Sequence, residues 1–301
     1  MKSPFRKVAS GILLASVASA FVACGDSNSG TSADDVGIES SSSALEESSS
    51  SVVAALSSSS SVEEQFVFNP EIEYGTLIDE RDGQHYRTVV IGEQTWMAEN
   101  LNYADSVKTP SLKDRIWCRH NDEKQCDVLG HYYTWAAAID SVALANNPEN
   151  PQTCGYMELC DLLRKKSSFD ASDKKVQGIC PSGWHLPSEA DWETLIETVG
   201  GSNYITISGN RSVSRALRSR SGWEYGNGID SYGFSALPAG GRGSVFSGEG
   251  VQANFWSASD VDGLIVREYK TAYGLHLDNA QFELGDSFDK SYGYSIRCLK
   301  D

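Results

Sequence analysis

Residues 180–200 read CPSGWHLPSEADWETLIETVG, and this stretch decides the fold class. Ser188 can cap a helix with Asp191 three residues later. Glu189 and Asp191 suit its positive N-terminal end, and Trp192, Leu195 and Ile196 form an apolar stripe at helical spacing. Gly200-Gly201 ends the helix. Upstream, residues 75–101 (GTLIDERDGQHYRTVVIGEQTWMAENL) alternate apolar and polar positions around Asp82-Gly83 and Gly92-Glu93, which predicts two consecutive hairpins. His85 falls in the second strand with no partner placed by spacing, so it reads as a plain strand residue. Residues 132–139 (YYTWAAAI) predict a second, short and mostly buried helix. Downstream, the Gly-rich, aromatic residues 222–260 and the ending SYGYSIRCLKD (291–301) read as strands and long loops. Two helices among short strands, with both ends strand-like, predict an α+β domain.

Ahead of this domain the chain changes character twice. Lys2, Arg6 and Lys7 precede an apolar, small-residue stretch, Ala9 to Ala23, too short to span a bilayer permanently. It ends in Phe21-Val22-Ala23-Cys24, which resembles the lipobox of bacterial lipoproteins, with Phe21 in place of the usual Leu. Residues 1–23 are thus expected to be a lipoprotein signal peptide and Cys24 the lipidated residue. The competing reading is an ordinary cleaved signal that leaves a free exported thiol, a chemical liability. Residues 24–65 form a Ser-rich, acidic segment (SSSALEESSSSVVAALSSSSSVEEQ) that cannot bury enough apolar surface to offset its chain entropy. It is expected to be a lipid-anchored disordered linker with a reach on the order of 35 Å, holding a folded head, residues 66–301, clear of the membrane. A glycosylated stalk is the alternative.

Without the signal, 22 basic residues face 41 acidic ones, a net charge of −19. That balance excludes nucleic acid as an expected partner and disfavours anionic membrane surfaces. Six Cys remain besides Cys24: Cys118, Cys126, Cys154, Cys160, Cys180 and Cys298. In an exported chain that even number predicts three disulfides, with 15 connectivities open. A zinc site is the rival, but no Cys-x-x-Cys pair occurs and the five His are scattered, so no metal or other cofactor is expected.

The ordered motifs WMAENLNY (96–103), YYTWAAA (132–138), GICPSGWHLPSEADWETL (178–195), GFSALPAGGR (233–242), FWSAS (255–259) and YSIRCLKD (294–301) resemble the Fibrobacter succinogenes major paralogous domain family. That resemblance covers nearly all of residues 66–301 and implies an exported protein, often a lipoprotein with a Ser-rich spacer, without an established activity. The helix, Gly-Gly-Arg and final Arg-Cys elements are also similar to formylglycine-generating sulfatase-modifying proteins, whose domain is a variant of the C-type lectin fold. The implied head is C-type lectin-like, with short strands, two main helices, long loops and both chain ends in one sheet. The resemblance makes a Cys180–Cys298 disulfide sensible, tying the second helix to the last strand, with Cys118–Cys126 and Cys154–Cys160 as local clasps.

No catalytic residue is expected. The redox Cys pair of the sulfatase-modifying enzymes has only Cys298 in the matching region, beside Arg297. Glu189 with Asp191 offers a carboxylate pair, but helix capping explains it. The calcium-lectin motifs are not matched by Asn147-Pro148-Glu149-Asn150 or Trp256-Ser257-Ala258, and Asp260-Val261-Asp262-Gly263 reads as an ordinary turn. Gly240-Gly241-Arg242-Gly243 lacks the strand-to-helix setting of a phosphate loop. What survives is a binding surface in the Gly-rich region, with Trp223, Tyr225, Tyr232, Arg242 and Phe246 as candidate ligand-binding residues, against the alternative that they pack loops onto the core. The expected protein is a lipid-anchored cell-envelope component, on an outer membrane and facing periplasm or cell surface, with a noncatalytic head for a polysaccharide or protein ligand. A structural envelope protein and an enzyme with an unrecognised site are the alternatives.

Overall fold

Two glycine turns fold residues 75–97 into a meander. β1 (Gly75–Ile78) pairs antiparallel with β2 (His85–Ile91), Ile78 opposite His85, and β2 pairs with β3 (Gln94–Met97), Ile91 opposite Gln94. Tyr86, Val89 and Ile91 are buried while Val90 points outward. The two predicted hairpins are therefore present. The computed structural model describes residues 66–164, 173–201, 211–261 and 270–301. Residues 1–65, which hold the expected signal peptide, lipidated Cys24 and linker, lie outside the described residues.

The later elements are β4 (Ile116–Trp117), α1 (Glu123–Leu129), β5 (Tyr132–Tyr133), α2 (Trp135–Ala138), α3 (Ser141–Ala145), β6 (Trp184–His185), α4 (Glu189–Thr198) and α5 (Arg211–Leu217). They continue with β7 (Gly241–Arg242), β8 (Phe246–Ser247), β9 (Ala253–Asp260), β10 (Thr271–Leu277), β11 (Phe282–Asp289) and β12 (Leu299–Lys300). One five-stranded sheet has the order β1-β2-β3-β12-β6, and a three-stranded antiparallel sheet the order β11-β10-β9. Two-stranded ribbons, β4-β5 and β7-β8, complete an α+β fold. The last strand lies between β3 and β6, so the N- and C-terminal portions share one sheet.

Helix α4 forms as its sequence dictates. The Asp191 N–H donates to Ser188 Oγ, and the Ser188 N–H donates back to Asp191 Oδ2 at 2.9 Å, closing a capping box. Its apolar stripe is buried, with the Trp192 ring stacked on Trp96 of β3 at 4.7 Å. Phe234 and Phe255 extend this aromatic layer. A second core surrounds Trp135, Trp256, Tyr133 and the Cys180–Cys298 disulfide.

Two expectations need correction. Residues 132–139 are not one helix: Tyr132 and Tyr133 form β5, because Tyr133 exchanges backbone hydrogen bonds with the distant Tyr294, and only then does Thr134 cap α2. The count of two helices is too low. The seven-residue α1 is capped by the Asp122 side chain and closed at Gly130, and α5 precedes the Gly-rich region.

All three disulfides are present: Cys118–Cys126, Cys154–Cys160 and Cys180–Cys298. The last closes 118 residues, against 8 and 6 for the clasps. Replacing Cys180 and Cys298 together by Ala is expected to cost about 4–5 kcal/mol in urea unfolding, and the Cys118/Cys126 double replacement about 2–3 kcal/mol. Equal losses in the two variants would refute this ordering by loop length.

Candidate functional site

The β7-β8 hairpin builds one wall of a small open cavity of about 180 Å³. Gly241 and Gly243 let the backbone lie against two tyrosines. A Cβ on Gly241 would sit 2.7 Å from the Tyr294 ring, and one on Gly243 would sit 3.0 Å from the Tyr292 ring. Between them, Arg242 and Gly293 exchange backbone hydrogen bonds, joining the hairpin to the segment before β12. Arg242, Ser244, Ser247, Gln252, Tyr292 and Tyr294 contribute to the wall, and Tyr292 is 41% exposed. Asn254 also lines the cavity. Its amide donates to Gly240 O, and its oxygen meets His276 Nδ1 at 2.8 Å.

An aromatic platform adjoins this cavity. The Arg242 guanidinium lies 3.9 Å over the Trp117 ring and 5.8 Å from Phe246. Phe246 in turn packs edge-on to His120 and beside Tyr132, whose hydroxyl donates to Ala239 O. Nearby Arg119 and His120 both meet Glu249, and hydrogen bonding and charge from Arg119 hold that carboxyl below the usual range. Arg242 has no such carboxylate among the described residues.

The sequence-derived candidates thus divide. Arg242 and Phe246 come together at the hairpin. Trp223 does not belong to the loop surface: it is 5% exposed, donates its indole N–H to Ser219 Oγ and packs under the Arg218 guanidinium at 4.5 Å. Internal satisfaction of both its ring and its N–H explains that placement. Tyr232 is half-buried against the same core, and Tyr225, 68% exposed, stands outside the cavity wall. Sequence reasoning missed Trp117, Gln252, Tyr292 and Tyr294. The Tyr-Gly-Tyr spacing of 292–294 was a signal, since residues two apart in an extended segment share a face.

A second, broader depression of about 920 Å³ runs beside Phe66, Phe68, Val128 and Leu129. Two of its arginines are paired, Arg87 with Glu99 and Arg119 with Glu249. Other titratable groups serve structure. Asp191 would be raised by burial, but hydrogen bonds from His185 and Ser188 hold it low, so it is a cap and not half of an acid pair. Asp260, read from sequence as part of a turn, ends β9 fully buried, with Lys290 Nζ at 2.7 Å; Asp262 and Gly263 lie outside the described residues. Burial raises the Asp260 carboxyl and lowers the Lys290 amine.

Cys118, Cys126 and His131 place their ligand atoms within 4.8 Å of one another, a soft-metal arrangement whose two sulfurs are here joined as a disulfide. Burial pushes the His131 imidazole down to about 4, and its Nδ1 has no hydrogen-bond partner. The unfolded ring, near 6.5, binds protons more readily than the folded one. Stability contributed by keeping this ring neutral is therefore present above about pH 6.5 and lost as pH falls toward 4. Urea unfolding at pH 7 and pH 4.5 should show a decline of up to about 3 kcal/mol from this group, diminished in His131→Gln. An unchanged pH profile in that variant would contradict the assignment.

Neither curated proteins nor solved structures provide a match to this chain. The model of the Fibrobacter succinogenes major domain matches residues 89–300, which include β3, α4, the hairpin, both cavity tyrosines and all six disulfide cysteines. The chain belongs to the Fibrobacter succinogenes major domain family.

Proposed function

We propose that this protein is a membrane-anchored, exported lipoprotein with a C-type lectin-like, noncatalytic binding head for carbohydrate. Cys24 carries the lipid, residues 24–65 act as the tether, and the head faces periplasm or cell surface, on an outer membrane. The lipobox-like ending at Cys24 and the Ser-rich composition support the anchor. The meeting of N- and C-terminal strands in one sheet, stapled by Cys180–Cys298, is in keeping with the lectin-like reading.

The observation that carries the binding reading is the polar cavity walled by Tyr292 and Tyr294. A sugar ring has apolar C–H faces and a polar edge. Tyrosine rings match the first, and the Gln252 amide, the serine hydroxyls and the Arg242 guanidinium match the second. At about 180 Å³ the cavity is smaller than the roughly 300–1,000 Å³ typical of enclosed small-molecule sites, which suits one unit of a longer polymer. Among the described residues its wall offers aromatic faces, hydroxyls, an amide and a guanidinium, the groups that recognise a sugar. The broad depression beside Phe66 and Val128 favours a protein partner as the second reading.

Two measurements test this proposal. Cys24→Ala should move the protein from the membrane fraction to the soluble fraction, and its persistence in membranes would sink the anchor. In a polysaccharide binding screen with detergent-solubilised full-length protein, Tyr292→Ala should lose binding by ~10-fold or more, while Trp223→Phe and Tyr225→Ala retain it, with or without calcium chelation. Binding insensitive to Tyr292, or dependent on Tyr225 alone, would move the site elsewhere.

A further inference from the structure

We infer that the hairpin cavity is selective for a carboxylate-bearing sugar, a uronate unit of an acidic polysaccharide, with Arg242 as the carboxylate receptor. This rests on the carbohydrate reading of the same cavity and adds the charge of its ligand.

The chain carries 41 acidic against 25 basic residues, so its cations have ample opportunity for pairing. Arg81 meets Asp79, Arg87 meets Glu99, Arg119 meets Glu249 and Lys290 meets Asp260. Among the arginines without a described carboxylate, Arg218 is buried over Trp223 with Nε and Nη1 unpartnered, out of reach of a surface ligand, while others commit their donors elsewhere. Arg115 donates to Ser141, Arg220 to Asn69, and Arg297 to four acceptors. Arg242 differs from all of these. Its described side-chain hydrogen bonding amounts to one contact with Gly243 O at 3.5 Å, the limit of a useful bond.

Yet Arg242 is not loose. Its backbone is bonded on both sides to Gly293, and its guanidinium is stacked on Trp117. Held over the Trp117 ring by cation–π attraction, the guanidinium is positioned with only one long contact occupying its N–H donors. A guanidinium fork matches the two oxygens of a carboxylate. Among the described residues no acidic side chain lines the cavity to compete for it, while Gln252 and Tyr292 offer neutral contacts to ring hydroxyls. A ligand that places a carboxylate at Arg242 and a sugar face against Tyr292 satisfies both sides of the wall.

The test uses detergent-solubilised full-length protein and three soluble polymers: polygalacturonate, its fully methyl-esterified form, and a neutral glucan. Wild type should bind polygalacturonate at least ~10-fold more tightly than the methyl ester, the scale of one charge-assisted hydrogen-bonded pair. Arg242→Gln should erase that preference, and Arg242→Lys, which keeps the charge but loses the fork, should recover only part of it. Circular dichroism melts of both variants establish that the fold is intact. Equal binding of acid and ester by wild type, or full preference retained in Arg242→Gln, overturns the inference. If the ester or glucan still binds and Tyr292→Ala abolishes that binding, the carbohydrate reading stands without the uronate. If no polymer binds, both fall together.

Discussion

One buried guanidinium organises this fold. Arg297, fully buried, donates Nε to Asn100 Oδ1, Nη1 to the carbonyls of Met97 and Phe234, and Nη2 to the carbonyl of Ser235. Those acceptors come from the chain around β3 and from the loop after α5, so a single side chain near the C-terminus joins three distant segments. Burial pushes its pKa down to about 9, which still leaves it charged at neutral pH. A buried charge of this kind is tolerable because its donors meet acceptors, with Phe234 and Phe255 rings beside it at 4.9 and 5.6 Å. Removing the guanidinium would orphan four acceptors in the region where the two cores meet.

The neighbours of Arg297 extend that constraint in both directions. Cys298 is bonded to Cys180, Leu299 pairs with both Trp96 and His185, and Ile296 accepts the Leu101 N–H. Just upstream, Tyr294 pairs with Tyr133, Gly293 with Arg242, and the Ser295 N–H with Asn254 O. The cavity wall is therefore a continuation of a segment tied to β3, β6, Tyr133 and Asn254. A hairpin of two-residue strands has little stability of its own. Here it gains a fixed position from the segment it borders, which is what a recognition site on a loop requires.

What was legible in the sequence was local. The capping box at Ser188 and Asp191, the Trp192 stripe and the two glycine turns each depend on residues a few positions apart, and each folds as read. Cysteine parity pointed to three bridges, while their pairing came from family resemblance because six cysteines carry no connectivity of their own. Nonlocal bonds defeated the other readings. Tyr132 and Tyr133 look helical beside Trp135 and Ala136–Ala138, yet Tyr294, far along the chain, claims Tyr133 for a strand. Trp223 sits in a Gly-rich, loop-like context, but Ser219, Ala236 and Arg218 enclose it. Arg242 was visible as a cation among glycines. That its donors are uncommitted became visible only once the hairpin was placed against Trp117 and Gly293.

Lys290 and Arg242 show two ways in which an acidic chain holds a cation beside a tryptophan ring. Lys290 is buried with Asp260, donates to Glu158 O and lies 4.3 Å from the Trp135 ring, while Asp260 also accepts from the Cys160 and Val261 amides. With both partners bonded on several sides, opening that pair to a ligand would expose an uncompensated buried charge. Arg242 is half-buried and also rests on a tryptophan, but its stack uses the ring face in place of a carboxylate. A ligand meeting Arg242 would break no internal ion pair among the described residues. An aromatic rest for a cation thus does what a salt bridge cannot: it holds the charge in place and leaves it available.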